Sequence, residues 1–272
     1  LFMRRHDAWS MVTKVFKKAP QRGAFLLFAL PFLIFSSLSL EASVCKPCSG
    51  VPHKVDRVVD GDTLRLKSGE KIRLIGINTP ELGHWGKPEQ PGGLAAKEYL
   101  QKLISQNRGR VAVCPGAEKQ DRYGRQLAHL SGQDGQNIAA QLLREGMGWA
   151  IAVPPNLSRT NCYFAAESEA RDKRFGIWKE APNRATSLQG NETGFHHLEG
   201  RIVRVGESRS ALWLNLEGPL ALRITWKDWK AFGIDDPEQL VGHSLEARGW
   251  LYQRKGQQRL RIRHPSSIRW LD

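Results

Sequence analysis

Apolar and polar residues alternate in three short runs, His53–Val59, Thr63–Lys67 and Lys71–Ile77. Period two marks a strand with one buried face. Gly83 to Gly93 holds four glycines and two prolines and reads as a loop. From Leu94 to Gln106 the spacing changes, with apolar residues at 95, 96, 99, 100, 103 and 104, which predicts a helix. Arg110–Cys114 and Arg125–Leu130 return to strand character, separated by a loop-like 115–124. Three strands, a helix and two strands are the plan of a small five-stranded Greek-key barrel of the OB kind. Helices over Asn137–Glu145, stopping at Gly146, and over Asn161–Arg174, stopping before Gly176 and Trp178, are expected to pack on it.

The last third repeats the plan without repeating the sequence. Leu198–Val205, kinked at Gly200, is followed by strand-like Ala211–Leu216 and Leu220–Thr225. A helix is expected over Trp226–Leu240, although Pro237 interrupts it, and Ser244–Tyr252 and Gln258–Arg263 complete five strands. The fold class is therefore β-rich α+β, with two OB-like barrels. The expected divisions are a leader at 1–42, a linker at 43–52, a first barrel domain at 53–180, a linker at 181–195 and a second barrel domain at 196–272. His196 and His197 read as linker polarity and not as a ligand pair.

Charge adds a partner class. The chain of 272 residues carries a formal +14. Residues 1–42 hold six Lys/Arg against two Asp/Glu, and the remainder 35 against 25, so the body of the protein is itself basic. Such a surface attracts polyanions, of which nucleic acid is the commonest. Read from Met11, the basic residues Lys14, Lys17, Lys18 and Arg22 precede an uncharged stretch, Gly23–Leu40. This order is that of a secretory signal, and its apolar centre, interrupted by Pro31, is short for a span of about 20 residues. Cleavage is expected after Ala42; an uncleaved segment would instead anchor the protein to the membrane. Val44 before Cys45 argues against a lipoprotein site. Export favours disulfides among Cys45, Cys48, Cys114 and Cys162. The Cys45–Cys48 pair reads as a local disulfide, a redox pair or half of a zinc site; no second CxxC accompanies it.

Candidate chemistry gathers in Val58–Glu81. Asp60 and Asp62 flank Gly61 at a corner, Arg73 lies on the third run, and Asn78-Thr79-Pro80-Glu81 follows its end. Hard cations take oxygen ligands, and a guanidinium matches a phosphate in bidentate fashion. Cation, arginine and a further carboxylate together suit phosphodiester hydrolysis.

Over about residues 53–179 the chain resembles the staphylococcal nuclease (thermonuclease) family. The resemblance rests on Val59-Asp60-Gly61-Asp62-Thr63, on Ile72-Arg73-Leu74 through Asn78-Thr79-Pro80-Glu81, and on Asp121-Arg122-Tyr123-Gly124-Arg125. Ser168-Glu169-Ala170-Arg171 through Gly176-Ile177-Trp178 adds the look of the family's last helix. It implies a Ca²⁺-dependent phosphodiesterase that acts on DNA and RNA and leaves 3′-phosphates. It further implies Asp62, Asn78 and the Thr79 carbonyl as metal ligands, with Asp60 just outside them. Glu81 would take the proton of the attacking water, Arg73 and Arg125 would hold the phosphate, and Arg122 with Tyr123 would contact a neighbouring one. It also suggests that Cys114 and Cys162 pair.

Two positions depart from the family's reference member. Asn78 stands where that member has Asp, which removes one negative charge and predicts weak metal binding. Trp149–Pro155 lacks the tyrosines on which that member stacks bases, so base preference is open. In the last third, Arg259, Arg261 and Arg263 share one strand face, and with Trp213 or Trp250 they suit a single-strand-binding groove. Two rival readings are a non-catalytic nucleic-acid-binding protein on a nuclease scaffold and a membrane-tethered scaffold. No stable protein partner is implied.

Overall fold

The computed structural model describes residues 45–83 and 88–272. The expected leader, 1–42, lies outside the described residues, as does part of the glycine-rich loop. No helix among the described residues is long and apolar enough to cross a membrane.

The first barrel is built from β1 (His53–Val58), β2 (Thr63–Leu66) and β3 (Lys71–Leu74), then β4 (Ile77–Asn78), α1 (Gly93–Gln106), β5 (Arg110–Gln120) and β6 (Gln126–Ser131). It closes in the order β1-β2-β3-β6-β5, with β3 and β6 parallel. Leu64, Ile72, Leu74, Val111 and Leu130 point inward and are buried. Beyond it come α2 (Ile138–Arg144), β7 (Trp149–Ala150) and α3 (Thr160–Asp172). Asn137 caps α2 by accepting from the Ala140 N–H. Tyr163, Leu142 and Leu143 bring both helices into the core.

β8 (Asn183–Arg184), an edge strand beside the second barrel, lies within the stretch expected as a linker, and the barrel begins with β9 (Gly194–Ser208), β10 (Ala211–Leu216) and β11 (Leu220–Thr225). After α4 (Trp226–Trp229) come β12 (Ser244–Arg254), β13 (Gln257–Ile262) and β14 (Ile268–Trp270). The long β9 pairs β12 through its first half and β10 through its second. That double pairing closes β9-β10-β11-β13-β12, again with a parallel pair, β11 and β13. Both barrels therefore have the same strand order and are OB-like. Gly200 lies where β9 changes partner, and a Cβ there would come within 3.1 Å of Ala185 and Leu216.

Several expectations are corrected. The helix over Trp226–Leu240 is only α4 and two 3₁₀ turns, because Gly233 takes a left-handed φ of 65° and Pro237 starts a separate turn. The loop at 115–124 is strand as far as Gln120, paired with β6 through an irregular register. The Cys114–Cys162 bridge and the local Cys45–Cys48 bridge are absent. Cys45 is bonded to Cys162, with Cα atoms 5.3 Å apart, and Cys48 to Cys114, with Cα atoms 5.5 Å apart. The segment 45–48 lies across the barrel, its Cys48 N–H donating to Ser131 Oγ at 2.8 Å and its Lys46 carbonyl accepting from Arg159 at 3.1 Å. It thus reaches one cysteine of β5 and one of α3.

Charged side chains join the barrels. Glu246 accepts from Arg171, Arg269 and His197 at 2.8, 2.6 and 2.9 Å. These bonds hold its carboxyl below the usual carboxylate range even though burial alone would raise it. Arg248 is ion-paired with Glu167 on α3 and also donates to the Ala150 carbonyl. His197 is thus an interface residue and not linker polarity. Burial, the dominant influence, keeps its pKa below the ordinary histidine value.

Candidate active site

The corner between β1 and β2 is fixed by its own backbone. The Asp62 N–H donates to Asp60 Oδ1 at 3.0 Å, and the Val59 and Asp60 N–H groups both donate to the Thr63 carbonyl. Gly61 is needed here because a Cβ would sit 2.6 Å from that of Ala96 and 2.8 Å from Thr79 Oγ1. The corner therefore lies directly against α1 and the Asn78–Thr79 segment.

Asp62 is buried beneath that corner. One carboxylate oxygen accepts from Thr63 Oγ1 at 3.1 Å; the other accepts from the Thr79 N–H at 3.0 Å. The second oxygen is also ion-paired with Arg73 Nη2 at 2.9 Å. The same Nη2 donates to Asn78 Oδ1 at 3.1 Å, while Nη1 donates to the Leu74 and Ile77 carbonyls. Asp62, Arg73, Asn78 and Thr79 thus form one cluster. Asp60 stands beside it, and its carboxyl is pushed up to about 7 by burial and by the charge on Asp62.

Among the described residues, no three His, Cys, Asp or Glu side chains are grouped to hold a metal. The donors at this cluster are two carboxylates, one amide oxygen and one backbone carbonyl. All are oxygens, as a hard cation requires, and two acids competing for one space favour a cation between them. The set fits Ca²⁺ with a low ligand charge.

Over the cluster opens a cleft of about 800 Å³. Arg73, Asn78, Glu81, Arg122, Tyr123 and Arg125 all line it. Glu81 is exposed; its N–H donates to Gln90 at 2.9 Å, and Gly93 lets the start of α1 pack on its carbonyl. Arg125 is set by Asp121, which accepts its Nε at 2.7 Å and the Tyr123 and Arg125 N–H groups at 2.9 and 3.0 Å. Burial would raise the Asp121 carboxyl, but these bonds hold it below the usual range. Arg125 Nη1 also lies 3.4 Å from Thr63 Oγ1, which links it to Asp62. Tyr123 projects into solvent, its hydroxyl accepting from Arg122 at 2.6 Å.

Arg259 and Arg261 on β13 and Arg263 just past its end divide. Arg261 and Arg263 line a second hollow beside the cleft. Arg259 lies apart from that hollow, its guanidinium 4.6 Å from the centre of the Trp213 ring. Three contributors are not visible in the sequence. Trp149 is the register partner of Asn78 across β4 and β7. Arg248 and Glu167 hold the carbonyl and N–H of Ala150 in that same pairing. Only three-dimensional contact identifies these residues; Thr63, by contrast, adjoins the Asp60–Asp62 motif.

The family model described as "Staphylococcal nuclease homologue" matches residues 71–180. The chain is 34% identical over 170 residues to "Thermonuclease" of Staphylococcus intermedius, a match covering 60% of this chain and 99% of that protein. It is 33% identical over 137 residues to "Endonuclease YhcR" of Bacillus subtilis (strain 168), covering 46% of this chain and 11% of that protein. It is 28% identical over 137 residues to "Uncharacterized endonuclease" of Escherichia coli O157:H7, covering 49% of this chain and 81% of that protein. With a thermonuclease matched along nearly its whole length, and Arg73, Glu81, Asp121, Tyr123 and Arg125 of the motif lining one cleft, this chain belongs to the staphylococcal nuclease family.

Proposed function

We propose that this protein is an exported, Ca²⁺-dependent endonuclease that hydrolyses DNA and RNA and leaves 3′-phosphates. Membership of the family, with relatives named thermonuclease and endonuclease, supports nuclease action on nucleic acid. The observation that carries the finer reading is the convergence of Arg73, Glu81 and Arg125 on one cleft above Asp62 and Asn78.

In this reading Asp62, Asn78 and the Thr79 carbonyl hold the cation, with Asp60 adjacent. A bound Ca²⁺ supplies Lewis acidity toward the phosphate and lowers the pKa of water. Glu81 accepts the proton as the water oxygen bonds to phosphorus. The bond from phosphorus to the 5′ oxygen breaks, that oxygen takes a proton from solvent, and the phosphate stays on the 3′ side. Arg125 and Arg73 face the charge that grows on the phosphoryl oxygens, and preplaced donors bind that state best. Arg122 and Tyr123 orient the chain by a neighbouring phosphate. Because Arg73 already occupies oxygens of Asp62 and Asn78, cation affinity is expected to be weak, with Kd of about 10⁻⁴–10⁻³ M.

Plasmid and RNA digestion with Ca²⁺, with Mg²⁺ and with chelator tests this, with end-group analysis of the products. Arg125→Ala is expected to lose about a hundred- to thousand-fold in rate, and Glu81→Gln to lose most activity without losing substrate binding. Wild-type protein that binds nucleic acid but cuts neither polymer would establish the non-catalytic alternative.

A further inference from the structure

One face of β12 runs from the joint between the barrels into the cleft, two residues at a time. Glu246 and Arg248 are buried against the first barrel; Trp250 comes next and is 46% exposed; Tyr252 follows. Trp250 lines the catalytic-side cleft and also an adjoining hollow of about 260 Å³. Ile151 and Val153 line both spaces, so the two lie side by side.

The hollow has the chemistry of a polyanion site. Arg261 and Arg263 line it with Tyr252, and no Asp or Glu is among its lining residues. Arg261 is exposed and has no acidic partner among the described residues. The indole is also held in place. Its ring meets Phe195 edge-on with centroids 5.1 Å apart, and Phe195 lies 5.2 Å from Trp149, the register partner of Asn78. A chain of three aromatic rings thus connects the candidate metal corner to an exposed indole on the second barrel.

We propose that this hollow is a nucleotide subsite for single-stranded substrate. The indole of Trp250 stacks a base adjacent to the phosphate bound in the cleft, and Arg261 with Arg263 takes the flanking phosphate. The proposal rests on the nuclease reading for what occupies the cleft. Aromatic stacking tolerates any base, since every base has a π-face, and it places in the second barrel a platform that Trp149–Pro155 does not provide.

The test uses the full-length protein in chelator, so that nothing is cut, and follows the anisotropy of a fluorescein-labelled oligothymidylate. Trp250→Ala is expected to weaken binding by about 5- to 150-fold. Trp250→Phe, which keeps a ring, should fall between that variant and wild type. An abasic oligomer of equal length should bind wild type and Trp250→Ala alike. Arg261→Glu should reduce the salt dependence of binding. Unchanged affinity in Trp250→Ala, a Phe variant as weak as the Ala variant, or equal losses on the abasic oligomer would each overturn the stacking site. Adding Ca²⁺ to wild type then tests the nuclease reading separately: a bound oligomer left uncut refutes catalysis and leaves the subsite standing.

Discussion

Arg73 and Asp62 form a buried ion pair of 2.9 Å at the centre of the candidate metal corner. The same guanidinium nitrogen serves Asn78 Oδ1, so this arginine supplies positive charge where a cation would sit. Ca²⁺ affinity rises with ligand charge. Asn78→Asp is therefore expected to tighten Ca²⁺ binding about tenfold or more, measured by calorimetry. Equal affinities in the two proteins would remove Asn78 from the ligand set.

Arg248 reaches across the joint to Glu167 and Ala150. Removing it leaves a carboxylate buried without its cation, which is expected to cost about 3–5 kcal/mol in urea unfolding. Ala150 pairs with Ile77, next to Asn78, so Arg248→Ala should also loosen that corner and lower activity. A variant as stable as wild type would show the joint to be dispensable.

His129 gives a pH signature. It is buried, its Nδ1 2.7 Å from the Tyr163 hydroxyl, and burial together with the nearby Arg159 lowers its pKa to about 4. The unfolded chain takes up that proton near 6.5, so folding is favoured above 6.5 and loses free energy as pH falls toward 4. The loss from this group is about 3 kcal/mol across the window. Urea unfolding of wild type and His129→Gln between pH 7 and pH 4 is expected to show a shallower fall in the variant; parallel curves would contradict the assignment.

The two bridges close loops with sequence separations of 117 and 66 residues. On the chain-entropy account the shorter one contributes about 4 kcal/mol. Replacing Cys48 and Cys114 together by serine should lower stability by that order. Peptide mapping of unreduced protein should recover Cys45 with Cys162 and Cys48 with Cys114; a peptide joining Cys114 to Cys162 would overturn the pairing.

Much of the fold was legible because buried strand faces repeat every second residue. Leu64, Ile72 and Leu130 in one barrel, and Leu212, Leu222 and Leu260 in the other, announce their cores by spacing alone. Residues 115–120 did not, because Pro115, Gly116 and four largely exposed positions lack an alternating pattern, and backbone pairing alone makes them strand. The helix expected over Trp226–Leu240 stops early because the backbone turns left-handed at Gly233, a break no side-chain pattern announces. Motif spacing foretold Asp62, Arg73, Asn78 and Arg125 as neighbours. It gave no hint that Arg73 would be turned onto the Leu74 and Ile77 carbonyls. Nor could four cysteines reveal their pairing, since three connectivities are equally compatible with the chain. Arg248 looked like one more basic residue on an alternating strand; its role comes from a carboxylate 81 positions away.

The cross-links at Cys45 and Cys48 also tie rigidity to cellular compartment. Thiols remain reduced in the cytosol, so a chain retained there would leave residues 45–48 unattached to β5 and α3. Under the proposed export, a nuclease that folded fully before leaving would meet its maker's own nucleic acid, and covalent closure only in oxidising surroundings would delay its full strength until after export. Reduced protein incubated at growth temperature is accordingly expected to degrade plasmid more slowly than oxidised protein, and identical rates would break this coupling.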